Sequence, residues 1–288
     1  MIVFLFPLFA VVILGFVLSF LDRGLTPIAA ARLSLFTLFV GAMTTIPVFL
    51  HLTLTWLMTL PSIGEPLHHA LHLNGVHLAP QTWLGPLAAL FSLFAMVRLL
   101  LLLVTRRNLR KTSTGKILKL PTEAVFAYAL PGRQASIVVS DGLTATLSQD
   151  ELGIVLAHER CHIDNRHDIW LYCGRICFLF NPLLAHQFKR LRHCLERIAD
   201  EAAVATCGDR MQVAQTIGKV ALNQTTKQFV LGVASYGVPL RVHELMTPPE
   251  RHPRWQIFGS ALGVIGVASM CVLQWHHVAT AVATVCGL

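Results

Sequence analysis

The chain has 288 residues, of which 54% are hydrophobic and 13% are charged, and its mean hydropathy is +0.61. These values exclude an ordinary soluble globular protein and are typical of integral membrane proteins. The formal net charge of +8 does not indicate a nucleic-acid-binding protein, because Lys and Arg cluster beside hydrophobic runs and no recognition module is evident. We therefore expect no direct nucleic-acid binding.

Four apolar runs are near or above the roughly 20 residues that a helix needs to cross a bilayer. They are Ile2–Leu21, Leu33–Leu60, Trp83–Val104 and Ile257–Trp275. The first run has no basic n-region and no cleavage site, so we expect a retained span and not a removable signal peptide.

The charges of the loops orient these spans. Loop Pro61–Thr82 contains no Lys or Arg, whereas Arg106, Arg107, Arg110 and Lys111 follow the third span. The positive-inside rule therefore predicts that both termini lie outside and that the large insert is cytoplasmic. We divide the chain into a membrane region with three spans (1–105), a cytoplasmic domain (106–254) and a C-terminal span with a short tail (255–288).

A further apolar run, Ile169–Leu184, is short, contains Arg175 and ends at Asn181 and Pro182. If it crossed the membrane, it would place the candidate metal ligands described below on opposite faces. We therefore expect a helix that is either buried in the cytoplasmic domain or lies on the membrane surface.

The insert begins with a small predicted sheet. Ala124–Leu130 and a second β-rich segment are separated by a Pro-Gly turn signal. This second segment is a candidate edge strand, to which an extended substrate would pair by strand addition. It consists of Ser136, Ile137, Val138 and Val139. Ser148 and Glu151 then form a capping-box pattern, which predicts that a helix begins at Gln149.

The predicted helix carries His158, Glu159 and His162. Histidines four residues apart share one helix face and can bind one metal ion together. The glutamate after the first histidine completes the H-E-x-x-H pattern of zinc hydrolases, in which it is the general base. An isolated pattern of this kind also arises by chance, so further ligands are needed to support a site.

A second helix is predicted to begin after Asn181, with Pro182 at its first position, and to end at Gly208. Catalytic zinc usually has three protein ligands and one open position. Glu196 is the candidate third ligand, and Asp200, one turn further on, is placed to accept a hydrogen bond from a ligand histidine. We expect one Zn2+ per chain.

Other polar residues near these motifs have more than one interpretation. Asp168 either supports a ligand or caps the helix that follows it. Three histidines are expected at surfaces or interfaces and not as ligands: His167, His186 and His193. Peptide hydrolysis also needs a donor that stabilises the oxyanion. The candidates are His243, Arg251 and His252.

The motifs together resemble those of the BlaR/MecR-type membrane metallopeptidases. The resemblance rests on Ile137-Val-Val-Ser-Asp-Gly, the His158-Glu-Arg-Cys-His motif, Asn181-Pro-Leu and Glu196-Arg-Ile-Ala-Asp200. The chain is similar, more distantly, to the CAAX prenyl protease and HtpX families. The similarity extends from Ala124 to Gly208 and includes the arrangement of four spans.

This resemblance implies a gluzincin domain in which His158, His162 and Glu196 bind zinc, Glu159 is the base and Asp200 supports a ligand. In the antibiotic-sensing members, a penicillin-binding sensor follows the last span, and signalling leads to cleavage of a cytoplasmic repressor. We expect this sequence, which ends at Leu288, to lack that sensor, so β-lactam sensing is not carried over.

The expected fold is mainly α and integral to the membrane, with about four transmembrane helices and a cytoplasmic zincin-like α+β metallopeptidase domain. The expected function is that of a zinc-dependent endopeptidase of the bacterial inner membrane, which cuts a cytoplasmic or membrane-proximal protein such as a transcriptional repressor. Two alternatives stay open: a membrane quality-control protease and a non-catalytic zinc-containing signalling scaffold. The expected partners are the protein substrate and the lipid bilayer, and the sequence is compatible with a homo-oligomer.

Overall fold

Long apolar helices dominate the N-terminal part of the chain. The computed structural model describes residues 2–21, 25–57, 59–62, 84–112, 117–130, 132, 135–225, 237–247, 262–263 and 265–276. The first three helices are α1 (Ile2–Leu21), α2 (Pro27–Leu57) and α3 (Leu84–Thr112). Each contains one of the first three predicted spans or most of it.

Two helices within the described residues are long and apolar enough to cross a membrane, namely Pro27–Leu57 and Leu84–Asn108. A shorter apolar helix covers Pro7–Leu18. Of the fourth predicted span, residues 262–263 and 265–276 are described, and they are helical. The structure therefore supports two of the four predicted spans by length and composition.

Helix α3 exposes most of its apolar side chains. In its most apolar stretch of 18 residues, only 11% of the residues are buried. The buried residues of the helix include the small Ala88 and Ala95. The exposed side chains include Leu87, Leu90, Phe94, Val97 and Leu101. Apolar surface on this scale is unfavourable in water and marks a contact with lipid or protein.

The insert contains a sheet of three strands, β1 (Ile117–Leu120), β2 (Ala127–Leu130) and β3 (Ser136–Ser140), in the order β1-β3-β2. Strand β1 pairs with β3 in parallel and β2 pairs with β3 in antiparallel orientation. The prediction missed β1, which is short and mostly exposed. The predicted strand Ala124–Leu130 corresponds to β2, which begins three residues later, at Ala127. Ala124 to Phe126 approach the sheet without joining its ladder.

The prediction that Ser136, Ile137, Val138 and Val139 form an edge strand is wrong. These residues lie in β3, whose register pairs Ile137 with both Ile117 and Ala129. All five residues of β3 are buried. The run of β-branched residues therefore reflects a strand that has a partner strand on each side. The strand that borders the cavity described below is β2.

The H-E-x-x-H helix and the helices after it follow the sheet. They are α4 (Asp141–Thr146), α5 (Gln149–Asp164), α6 (His167–Phe180), a 3-10 turn (Pro182–Leu184) and α7 (Ala185–Cys207). Gly208 ends α7 in a left-handed conformation with φ 80°, which confirms the predicted stop. Asn181 does not cap the helix through its side chain. Its side chain instead donates to the carbonyl oxygen of Gly41 in α2 at 3.3 Å.

The α6–α7 hairpin packs against the membrane-type helices. At its tip, Leu184 is fully buried and lies against the backbone of Gly41, where an added Cβ would overlap it. One turn later, the Gln187 side chain donates to the carbonyl oxygen of Gly15 in α1. Gly41 lies in the middle of α2, roughly 21 Å from the first residue of the helix, Pro27, at 1.5 Å per residue. The run Ile169–Leu184 is thus mostly half-buried, and its end is inserted between α1 and α2.

Helices α8 (Arg210–Thr225) and α9 (Val238–Met246) complete the described part of the insert. A small core joins them to the preceding helices and consists of Ile154, Ala203, Val213, Ala214 and Leu245. The sequence of Arg241–Met246 predicts a short helix, and this segment lies in α9, which begins three residues earlier and has a proline in its first turn.

Candidate metal centre

Helix α5 begins where the capping pattern predicts. The Ser148 hydroxyl accepts a hydrogen bond from the Glu151 backbone at 3.2 Å, and the Glu151 carboxylate accepts one from the Ser148 backbone at 2.8 Å. The Lys219 ammonium on α8 also lies 2.7 Å from this carboxylate. This fixed start sets the rotation of α5, so that His158 and His162 face α7.

Three side chains converge between α5 and α7. The Nε2 atoms of His158 and His162 are 3.2 Å apart. The carboxylate of Glu196 places Oε2 3.6 Å from Nε2 of His158 and Oε1 4.0 Å from Nε2 of His162. All ligand atoms of this group lie within 4.8 Å of one another, which is close enough to hold a metal ion.

The donor set fits zinc. Two imidazole nitrogens and one carboxylate oxygen are a common ligand set of catalytic zinc sites, which keep a fourth position open. Two imidazole Nε2 atoms that face each other at 3.2 Å are favourable only if a proton or a cation lies between them. The geometry is thus that of a metal site whose ligands are already assembled.

Each histidine is oriented by a second contact at its other ring nitrogen. Oδ1 of Asp200 lies 3.1 Å from Nδ1 of His158, as the i,i+4 spacing of Glu196 and Asp200 predicts. Nδ1 of His167 lies 2.8 Å from Nδ1 of His162. Asp200 and His167 are 1% and 2% exposed, so both contacts are shielded from water. Such contacts fix the tautomer of a ligand histidine.

The electrostatic environment makes the two histidines unequal. Burial opposes protonation of His158, but the carboxylates of Asp200 and Glu196 outweigh it and raise its pKa to about 9. Burial and the charge on His158 lower the pKa of His162 to about 4. Burial also opposes ionisation of Glu196, but the contacts with His158 and Arg241 hold its pKa well below the usual range.

Arg241 of α9 belongs to the same cluster. Its Nε donates to Oδ2 of Asp200 at 2.8 Å, and Nη2 donates to Oδ1 of the same carboxylate. Its Nη1 lies 3.0 Å from Oε2 of Glu196. Sequence reasoning missed this residue, since no spacing rule connects α9 with α7. The available signal was an arginine near the start of a predicted short helix.

Glu159 points towards a cavity of about 220 Å³ beside the metal ligands. Burial raises the pKa of Glu159, opposed by the positive charge on His158 and by a hydrogen bond from the Ala129 backbone. Apolar side chains from α5 and α8 form much of the cavity wall, together with Ala127 of β2. They include Ile154, Val155, Val213, Ile217 and Val220.

The structure brings only some of the other candidate residues to the site. His243 is exposed and does not line the cavity, so it is not placed to stabilise an oxyanion. Arg251 and His252 lie outside the described residues. The expectation that His167 lies at a surface or interface is wrong, because its ring is buried against His162.

The remaining polar residues hold neighbouring helices together. Asp168 lies in the first turn of α6 and pairs with Arg106 of α3 at 3.5 Å, so no contact connects it with the ligands. Arg106 also lies 4.0 Å from the ring centroid of Tyr172. His193 pairs with Glu244 of α9 at 2.9 Å, and His186 contacts the Phe16 ring edge to face.

Comparison with known proteins agrees with these motifs. The model of one family, described as BlaR1 peptidase M56, matches residues 126–237. No curated protein and no solved structure gives a significant match to the chain. The matched segment contains β2 and β3, the three potential ligands, Glu159 and Asp200. Over residues 126–237, the chain is therefore similar to the BlaR1 peptidase M56 family.

Proposed function

We propose that the chain is a zinc-dependent endopeptidase that works at a membrane. The observation that carries this proposal is the convergence of His158, His162 and Glu196 within 4.8 Å, next to a half-buried Glu159 that faces a cavity. A site that only stabilises the fold usually has four protein ligands. Among the described residues this site has three potential ligands, with an acid–base residue next to them.

The residues divide the chemistry between them. Zinc held by the three ligands would polarise the scissile carbonyl and lower the pKa of a water molecule towards about 7. Glu159 accepts a proton from the attacking water and delivers it to the amine of the leaving peptide. Its raised pKa suits a group that must both take up and release a proton near neutral pH.

The cavity supports an extended peptide with an apolar side chain as the substrate. Its wall is rich in aliphatic residues, which favour a side chain without charge. Strand β2 borders the cavity through Ala127, and within the described part of the chain it pairs only with β3, on one side. We therefore assign strand addition to the free edge of β2, in place of the segment Ser136–Val139.

The packing of α7 supports a membrane-proximal substrate. The helix that carries Glu196 is held by α1 and α2 at its start. Leu195, next to Glu196, belongs to the same buried core as Ala30 and Ala31 near the beginning of α2. Together with the basic residues in the last turns of α3, this packing favours a site on the cytoplasmic face of the inner membrane and a regulatory role in signalling.

Two other functions remain as rivals. A quality-control protease would have the same chemistry and many substrates. A zinc-containing scaffold would need the ligands but not Glu159. Partial burial raises the pKa of this carboxyl, which costs stability, and a scaffold would gain nothing from that cost. The position of Glu159 therefore favours an enzyme.

The variant Glu159→Gln tests the proposal. It should retain zinc and lose proteolysis by about 10²- to 10⁴-fold, since the proton acceptor is gone and the side-chain size is kept. The control is Glu201→Gln on α7, which removes a carboxylate that pairs with Arg210 at the surface. Undiminished cleavage by the Glu159 variant would disprove the proposed mechanism.

Quantitative proteomics of cells that carry the two variants identifies the role. Accumulation of one regulator in the Glu159→Gln strain supports regulatory proteolysis. Accumulation of many damaged membrane proteins supports quality control. If no protein accumulates, the chain is a scaffold and the proposed activity is wrong.

A further inference from the structure

Arg241 is the only residue of α9 that reaches the metal ligands among the described contacts. Its guanidinium engages both oxygens of Asp200 and Oε2 of Glu196. The side chain is 13% exposed, so these charge-assisted bonds form largely out of water. A planar guanidinium with two parallel bonds to one carboxylate fixes that carboxylate in position and in rotation.

The orientation of the Asp200 carboxylate in turn determines the orientation of a potential ligand. Asp200 lies 3.1 Å from Nδ1 of His158, so the orientation of the imidazole depends on the orientation of Asp200. At Glu196, Arg241 contacts Oε2. The other carboxylate oxygen, Oε1, faces His162 and lies 4.0 Å from its Nε2 atom. One arginine thereby influences two of the three potential ligands.

Helix α9 has an attachment to α7 that does not depend on Arg241. Glu244, one turn later, pairs with His193 at 2.9 Å and with Arg197 at 3.1 Å. Leu245 is buried with Ile154 and Ala203. Because these contacts dock α9, the bonds of Arg241 can be assigned to the site and not merely to the attachment of the helix.

We propose that Arg241 is a positioning residue of the metal centre, which holds Asp200 and Glu196 in the orientation that binds the metal. This inference rests on the proposed zinc site and extends it to α9, a helix that lies after the ligands in the chain.

Zinc binding by the full chain in detergent tests this role without relying on cleavage. The Kd is measured by competition with a chromophoric chelator for the wild type and for Arg241→Gln. We expect Arg241→Gln to weaken zinc binding about 10- to 100-fold, the usual loss when a residue that orients a ligand is removed. Arg241→Lys should recover part of the loss, because it restores the charge but not the two parallel bonds.

Two controls separate positioning from attachment. Arg210→Gln makes the same chemical change in a bidentate pair, with Glu201 at the exposed end of α7, and should leave the Kd within about twofold. Glu244→Gln weakens the independent attachment of α9 and should also have little effect on the Kd. An unchanged or tighter Kd for Arg241→Gln overturns the inference, and so does an equal loss in either control.

The loss of Arg241 leaves Asp200 buried without its cation, so this variant could fail to fold. The double variant Arg241→Gln with Asp200→Asn removes both charges and keeps an acceptor for His158. Because Arg241 acts partly through Asp200, the double variant should lose less zinc affinity than the losses of the two single variants combined. Additive losses would contradict this route. A wild-type chain that binds no zinc would instead refute the proposed function itself.

Discussion

Oδ1 of Asp200 lies 3.1 Å from Nδ1 of His158, and this contact controls the charge of the metal centre. Burial opposes protonation of His158, but the carboxylates of Asp200 and Glu196 raise its pKa to about 9. His158 therefore stays protonated at neutral pH. His162, with a pKa of about 4, stays neutral beside it. Without metal, the pair of histidines therefore carries one positive charge over a wide range of pH.

Zinc binding is expected to release one proton, and not two. A ligand histidine must be deprotonated, and only His158 is protonated between the two pKa values. The apparent affinity for zinc should therefore rise about tenfold per pH unit between about pH 5 and pH 6.5, below the pKa of about 7 of zinc-bound water. Calorimetric titration in buffers of different ionisation enthalpy measures the proton release. A release of two protons, or an affinity independent of pH, would contradict the assigned charge states.

His167 is expected to support zinc binding through His162. Because Nε2 of His162 faces the other ligands, its proton resides on Nδ1 and is donated to Nδ1 of His167. Replacing His167 with Leu removes the acceptor and should raise the zinc Kd about 10- to 100-fold. His167→Gln keeps an acceptor and should lose less. His193→Gln, which changes a histidine paired with Glu244, is the matched control, and an equal loss there would show a general effect on folding.

The parts of the site that follow local rules were predictable from the sequence. A capping box needs residues three apart, and ligands on one face need residues four apart. Ser148, Glu151, His158 and His162 obey these rules, and so do Glu196 and Asp200. Each set lies on a single helix, so that no knowledge of the tertiary fold was needed.

Features that depend on the tertiary arrangement were not predictable in the same way. The sequence of β3 does not reveal that strands pair on both of its sides, because one partner precedes it by about twenty residues and runs parallel. Arg241 reaches Asp200 only because α8 turns the chain back onto α7. His167 is buried because the left-handed residue Arg166, with φ 52°, turns the chain sharply between α5 and α6.

The close contact between the hairpin tip and α2 is expected to require a glycine at position 41. An added Cβ at Gly41 would overlap Leu184, whereas one at Gly266, also in a helix, would meet no atom within 4 Å. Gly41→Ala should lower the free energy of unfolding by about 1–3 kcal/mol through overpacking. Gly266→Ala should be neutral or stabilising by up to about 1 kcal/mol, because alanine is the better helix former.

Thermal unfolding in detergent compares the two variants. Zinc binding by Gly41→Ala should weaken as well, since the displaced helix α7 carries Glu196. If both variants unfold at the same temperature as the wild type, the hairpin does not depend on this contact.

Strand β2 directs the backbone groups of every second residue away from β3. The Ser140 backbone donates to the Phe126 carbonyl, and hydrogen-bonded pairs alternate in an antiparallel ladder. Ala127 and Ala129, one and three residues later, therefore direct their backbone groups away from β3. Ala129 already contacts Glu159, which leaves Ala127, at the cavity wall, as the position to which a substrate strand would pair.

Ala127→Pro should remove this donor without breaking the pairing with β3, because proline is tolerated where a strand faces outwards. We expect kcat/KM to fall about tenfold or more, mainly through KM, while the zinc Kd stays unchanged. Ala127→Ser keeps the backbone N–H at the same place and is the matched control. Steady-state cleavage of the substrate identified by proteomics measures the effect. Equal losses in the two variants would assign it to the side chain at the cavity wall, and full activity of Ala127→Pro would exclude strand addition at β2.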